Sequence, residues 1–430
     1  MQKSNKICSF CGVAASVDVP LIAGNDGQIC EACVTLANQV VSSWTKKKQL
    51  AEMHGPLPKP AEIKKLLDEY IIGQDLAKEI LSVAVYNHYK RLKHESLQIG
   101  GLGASDEGVE IGKSNILLIG PSGTGKTLLA STLAKIVGVP FVIADATTLT
   151  QAGYVGDDVE NILVRLLDVA EGHIGKAEWG IVYLDEVDKI ARSPEQAFGT
   201  RDVSGEGVQQ ALLRLVEGSH VKVPNKGKRK DGNADSIIVD TRNILFIAGG
   251  AFPGLEKHVE KRLVPANTAI GFHREIKQSD QKPDIEALLN ATEPDDLKRF
   301  GLIPEFIGRF PVLAPLEPLD VDALIQILTE PKNALVKQYQ HLFAYDQVNL
   351  EFTPDSLVEI AEKAIARNTG ARGLRSIMES ILRKAMFELP TRGDIDSCIV
   401  DADVVKNGEP LKLIERDEAA PQQQQAGAAG

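Results

Sequence analysis

The segment Gly120-Pro121-Ser122-Gly123-Thr124-Gly125-Lys126-Thr127 has the spacing G-x-x-x-x-G-K-[ST], with Leu128 directly after it. Glycines at those positions let backbone N–H groups converge on phosphate oxygens at a helix N-terminus, where the helix dipole favours anions. Lys126 would reach the β- and γ-phosphates of a nucleotide, and Thr127 would hold Mg2+. Downstream, Ile181-Val182-Tyr183-Leu184-Asp185-Glu186 ends an apolar run in two carboxylates. Asp185 would position Mg2+, directly or through water, and Glu186 would polarise the attacking water. Together they turn phosphate binding into hydrolysis. The transition state also needs cations, which arginines from other segments commonly supply. Arg309, in Pro304-Glu305-Phe306-Ile307-Gly308-Arg309-Phe310, and Arg372, in Thr369-Gly370-Ala371-Arg372-Gly373-Leu374-Arg375, are the candidates. From spacing alone, each reads equally well as a surface arginine.

A second chemistry sits near the N-terminus. Cys8-Ser9-Phe10-Cys11 and Cys30-Glu31-Ala32-Cys33 are two C-x-x-C knuckles separated by 18 residues. Such knuckles turn tightly enough for four thiolates to surround one Zn2+ as a closed tetrahedron. A closed shell leaves no position for substrate, so this ion is structural. A module of this size has little core, and the ion supplies most of its folding energy. Disulfides are disfavoured in a reducing compartment. Cys398, the fifth cysteine, falls in an apparent strand and reads as a buried inert thiol.

The chain has 430 residues and a formal net charge of −11. Hydrophobic residues at 43% and charged residues at 25% belong to a globular protein and exclude a fully disordered one. No apolar run approaches the ~18 residues of a membrane span. The acidic balance weighs against broad binding to nucleic acid, which rests on phosphate neutralisation. Met1-Gln2-Lys3-Ser4-Asn5-Lys6 resembles neither a signal nor a transit peptide, so the expected compartment is the cytoplasm.

Elements must hold these groups in place. The apolar runs Ile116–Ile119, Phe141–Ala144, Ile181–Leu184 and Ile244–Ala248 alternate with helical stretches. That pattern predicts an α/β fold with a parallel sheet covered on both faces. Residues Ala61–Leu92 have helical spacing with a break at Ile72-Gly73-Gln74. Beyond Leu316 the spacing turns helical over Val321–Thr329, Leu335–Phe343, Asp355–Arg367 and Leu374–Glu388, with a strand at Cys398–Val400. The expected organisation is a zinc-binding domain over 1–50 ending in a helix near Leu36–Trp44, and a Pro-rich linker over 51–60. A large ATPase domain over 61–315, a smaller mainly helical domain over 316–415 and a disordered tail over 416–430 follow.

Taken together, the zinc knuckles, phosphate loop, Asp185-Glu186 and the two arginine segments resemble the ClpX family. These are ring-forming AAA+ unfoldases of the Clp protease. The resemblance runs from Cys8 to about residue 415. The related HslU unfoldases lack the zinc module, so Cys8, Cys11, Cys30 and Cys33 discriminate. The resemblance implies a P-loop AAA+ module in a homohexamer that hydrolyses ATP to unfold proteins and pass them to a ClpP-like peptidase, with adaptor proteins as further partners. Arg309 then matches the finger that reaches a neighbouring subunit's ATP, and Arg372 matches the sensor arginine of the small domain. The break Tyr70-Ile71-Ile72-Gly73-Gln74 matches the segment that packs on adenine, through Ile71 and Ile72. Gly153-Tyr154-Val155-Gly156 matches the pore loop that grips substrate, and the segment around Arg201 a second pore loop. Read alone, the first is a turn and the second a polar connector. Ile270-Gly271-Phe272 matches the tripeptide that docks on the peptidase ring. One departure stands out: where the family often has Arg-Lys-His, this chain has the basic run Lys226-Gly227-Lys228-Arg229-Lys230-Asp231, with Asp231 in place of His, which puts recognition of the same substrate tags in question.

Two rivals remain at this point. A nucleic-acid-remodelling ATPase fits the zinc-first layout, but no basic-aromatic stripe surrounds the knuckles. An ATP-assembled scaffold fits poorly with an intact Glu186.

Overall fold

The computed structural model describes residues 7–16, 19–37, 57–99, 111–150, 157–192, 205–224, 236–263 and 284–416. Tyr154, Val155, Arg201, Ile270, Gly271 and Phe272, the basic run 226–231, the linker over 51–56 and the tail beyond 416 lie outside the described residues.

Five parallel strands form the central sheet: β1 (Ile116–Ile119), β2 (Phe141–Asp145), β3 (Ile181–Asp185), β4 (Leu245–Gly250) and β5 (Val312–Pro315). Their spatial order is β5-β1-β4-β3-β2. Successive strand residues point to opposite faces, and both faces are covered. Ile116, Leu118, Ile181, Tyr183, Leu245 and Ile247 pack with helices α1 (Pro60–Asp68), α2 (Asp75–Ile99) and α3 (Lys126–Val137) in one core. Leu117, Ile119, Val182, Leu184, Phe246 and Ala248 pack into the other, with Leu212 and Leu215 of α4 (Glu206–Glu217) and Phe306 of α5 (Pro304–Gly308). Double-sided burial is why β1, β3 and β4 read as continuous apolar runs.

The break between α1 and α2 is a backbone device: Gly73 and Gln74 both have positive φ, 59° and 60°. α1 begins with Pro60 in its first turn, where a missing N–H costs nothing, and Glu62 accepts the Lys59 N–H at 2.8 Å.

A third core lies C-terminal to β5. Leu324 and Leu328 of Val321–Thr329, Tyr339 and Phe343 of Leu335–Tyr345, Ile360 of Pro354–Ala366, and Leu374 and Met378 of α6 (Ala371–Glu388) form it. A small sheet of Asn349–Phe352, Ile395–Val400 and Lys412–Glu415 closes it. The helical spacing foresaw those helices to within a few residues, but only the middle strand of that sheet. Cys398 is buried in this core and its thiol is pushed up to about 11 by burial, the inert state expected of it. In the N-terminal module, residues 31–37 are helical, so the helix opens inside the second knuckle. No described helix is long and apolar enough to cross a membrane.

Candidate nucleotide-hydrolysis site and zinc centre

The phosphate loop joins β1 to α3. Gly125 caps α3 with φ 93°, a conformation few side chains tolerate. Gly123 is required for a different reason: a Cβ there would lie 2.6 Å from the Thr369 carbonyl oxygen and 3.1 Å from Gly370 Cα. The N-terminus of α6 therefore lies directly on the loop, and Ala371 N–H donates to Gly123 O at 3.3 Å. Lys126 is buried, and its Nζ donates to the carbonyls of Gly120 (2.6 Å) and Pro121 (2.8 Å). Pro121 O also accepts from Thr124 Oγ1 at 2.9 Å. Burial lowers the Lys126 pKa to about 8; Asp185 opposes that shift and the nearby Arg372 guanidinium adds to it. Polyphosphate oxygens laid against this ammonium would favour its charged form, an electrostatic preference for an anion.

Thr127 Oγ1 donates to Asp185 Oδ2 at 3.1 Å. A hydroxyl and a carboxylate so placed fit a hard, oxygen-seeking Mg2+. The exposed Glu186 follows Asp185 in the left-handed region, φ 57° and ψ 35°. Holding a non-glycine residue there costs about 1–3 kcal/mol, a strain that clusters at functional sites. The turn is held by the Glu186 N–H, which donates to Asp185 Oδ1 at 3.0 Å.

Two further residues shape this centre. Tyr183 OH donates to Asp185 Oδ1 at 3.2 Å, and burial pushes its phenol upward, so it stays a donor. A Cβ at Gly249 would sit 2.1 Å from that hydroxyl. Asp188 is almost fully buried; its Oδ1 accepts the Ala251 N–H at 3.1 Å, tying the end of β3 to that of β4, and its Oδ2 has no hydrogen-bond partner. Its only sequence signal was a further acid after Asp185-Glu186.

The arginines divide. Arg372 is on the first turn of α6, beside Lys126. Arg309 is elsewhere. Asn115, which immediately precedes β1, donates from Nδ2 to Arg309 O at 2.8 Å. The phosphate loop follows β1 at the other end, a strand length of about 13 Å away. The Arg309 guanidinium pairs with Glu217 at the end of α4, with Nε at 3.0 Å and Nη2 at 2.7 Å. Of the remaining candidates, Ile71 is buried, Ile72 half-buried, and Leu128 lies 44% exposed in the first turn of α3.

In the N-terminal module, ligand atoms of Cys8, Cys11, Cys30 and Cys33 all lie within 4.8 Å of one another. A hairpin of Leu21–Ala23 with Gln28–Cys30 carries the second knuckle to the first. The Cys30 N–H donates to Cys8 Sγ at 3.4 Å, and the Cys11 and Cys30 sulfurs are 3.6 Å apart. Backbone N–H groups, that of Cys11 foremost, hold Cys8 at about 6. Hydrogen bonding to the Cys11 thiol, then to Cys30, pushes Cys33 up to about 12. Four thiolates this close need a divalent cation among them, and the donor set is that of Zn2+. Zinc should leave the Cys30→Ser variant: metal analysis after dialysis should fall from about one ion per chain to almost none, with the module's near-ultraviolet signal lost.

Comparison with known proteins agrees with each part. Residues 6–43 match the family model of the ClpX C4-type zinc finger. Residues 112–313 match the AAA domain (Cdc48 subfamily), and 319–401 match the C-terminal D2-small domain of ClpB protein. An ATP-dependent Clp protease ATP-binding subunit, ClpX 3 of Methylococcus capsulatus, is 65% identical over 415 residues, covering 96% of this chain and 95% of that protein. The ClpX subunit of Azotobacter vinelandii is 54% identical over 422 residues, 97% of this chain and 94% of its own length.

Proposed function

The chain belongs to the ClpX family of ATP-dependent Clp protease ATP-binding subunits, and from that premise we propose how its residues divide the work. It is an AAA+ ATPase, with Zn2+ in its N-terminal module and ATP with Mg2+ in its large domain, and it acts as the unfolding and specificity component of the protease. The observation that carries the reading is the Thr127–Asp185 contact at 3.1 Å beside Lys126 and Glu186, in a chain so close to named Clp subunits.

Lys126 and Thr127, with loop residues Pro121 to Gly125, hold ATP and Mg2+. Asp185 orients the ion and Glu186 the water. Arg372 reads the nucleotide from the small domain, which its place against the loop supports. Ile71, Ile72 and Leu128 flank the base. Arg309, at the far end of the sheet, serves the ATP of a neighbouring copy in a hexameric ring. Tyr154 and Val155 grip the threaded polypeptide with help from Arg201, and Ile270-Gly271-Phe272 docks on a ClpP-like peptidase. The domains divide at 1–50, 61–315 and 316–415, and the assembly works in the cytoplasm.

A stably folded, tagged fluorescent reporter tests this. With ATP its fluorescence should fall, and peptides should appear only when a ClpP-like peptidase is added. Removing residues 270–272 should spare the fluorescence loss and abolish the peptides. A reporter that stays bright with ATP and every suitable tag would reject the unfoldase reading.

A further inference from the structure

Gln74 is 2% exposed and sits at a left-handed position in the break between α1 and α2. Its side chain turns away from that break. Nε2 donates to the carbonyl of Glu317 at 2.8 Å, and Oε1 accepts the N–H of the same residue at 2.8 Å. One amide side chain thus satisfies both backbone groups of one residue, as a neighbouring strand would. Glu317 lies in the connector 316–320, which leads from β5 to the helix Val321–Thr329. The same connector touches the phosphate loop: Leu316 N–H donates to Ile119 O at 2.7 Å, and a Cβ on Gly120 would meet Leu316 Cβ at 2.8 Å. A second strap runs beside the first. Lys332 N–H donates to Glu69 O at 3.0 Å, and its ammonium pairs with the Glu69 carboxylate at 2.7 Å. Residues 69–74 are therefore fastened to the connector and to the small domain, while Ile71 and Ile72 lie between those fastenings.

We propose that Gln74 is a positioning residue that transmits nucleotide binding at Ile71–Ile72 to the connector, through its paired hydrogen bonds to Glu317, so that hydrolysis rotates the small domain. The inference rests on the unfoldase reading above. Two part-buried amide hydrogen bonds to a single residue resist both sliding and twisting, and leaving either backbone group unpaired is costly. A connector held this way follows the segment 69–74; a connector released from it does not.

The test uses the full-length assembly with Gln74→Ala, which removes both bonds, and Gln74→Glu, which keeps the shape and the acceptor but loses the donor. ATP turnover and reporter unfolding are measured together at saturating ATP, alongside KM for ATP and the melting temperature. The expected result in both variants is a rise of about tenfold or more in ATP consumed per reporter unfolded, carried by slower unfolding and not by KM. Three results would overturn the proposal: a ratio within about twofold of wild type, turnover and unfolding falling in parallel, or variants that do not fold, since each leaves Gln74 a purely structural contact. If wild type hydrolyses ATP but leaves the reporter folded, the unfoldase reading itself fails and takes this one with it; failure confined to the variants' ratio leaves that reading standing.

Discussion

Glu186→Gln should bind ATP as wild type does and turn it over at least about 100-fold more slowly, the loss typical of removing a positioned general base. The amide keeps the size of the side chain and the strained turn, and the Glu186 N–H can still donate to Asp185 Oδ1. Lys126, Thr127 and Asp185 are unchanged, so the nucleotide should stay and assembly should persist. What is lost is the carboxylate that draws a proton from water. Equilibrium binding of a fluorescent ATP analogue, run beside a phosphate-release assay, separates the two. Full turnover in this variant would remove Glu186 from the chemistry.

Arg309→Ala should lower turnover by about 1000-fold, the lower end of what such a cation contributes when it meets the transition state. The geometry makes a sharper demand. Because Arg309 lies beyond the opposite end of β1 from its own phosphate loop, the proposed role puts the defect at the next subunit's ATP. Mixing Arg309→Ala chains with Glu186→Gln chains should therefore recover activity that neither has alone. In rings of random composition roughly a quarter of the sites would pair an intact Glu186 with an intact neighbouring arginine, given head-to-tail contacts. No recovery at all would mean that the arginine acts within its own chain. Glu217 pairs with the guanidinium at 2.7 Å.

Much of this was legible in the residues because the signals are local. A strand, a glycine loop and a helix in immediate succession leave one reading for Gly120–Thr127; β1, β3 and β4 were visible as apolar runs because both their faces are buried, and β2 because even its half-exposed edge face carries Phe141 and Ile143. The four thiols were legible for the same reason: two short knuckles dictate one ion. β5 was hidden. It is a four-residue edge strand with Pro311 before it and Pro315 at its end, residues that argue against a strand unless it lies at an edge. Losing β5 concealed which end of the sheet carries Arg309, and so how far that arginine stands from its own phosphate loop. The pairing of Gln74 with Glu317 spans 243 residues, and no local pattern announces it. Asp188 was masked by its acidic neighbours, and only its burial and its bond to Ala251 set it apart. The strands Asn349–Phe352 and Lys412–Glu415 escaped because both are largely exposed and begin or end in polar residues, so neither forms an apolar run as the equally short β1 does.

The distance between Arg309 and its own phosphate loop also bears on thrift. If Arg309 serves the next subunit as proposed, a solitary chain would load nucleotide but lack the cation that lets it be spent, so consumption should climb steeply with protein concentration and vanish on dilution. Newly made or surplus copies would then idle harmlessly, and the motor would start only once its circle has closed.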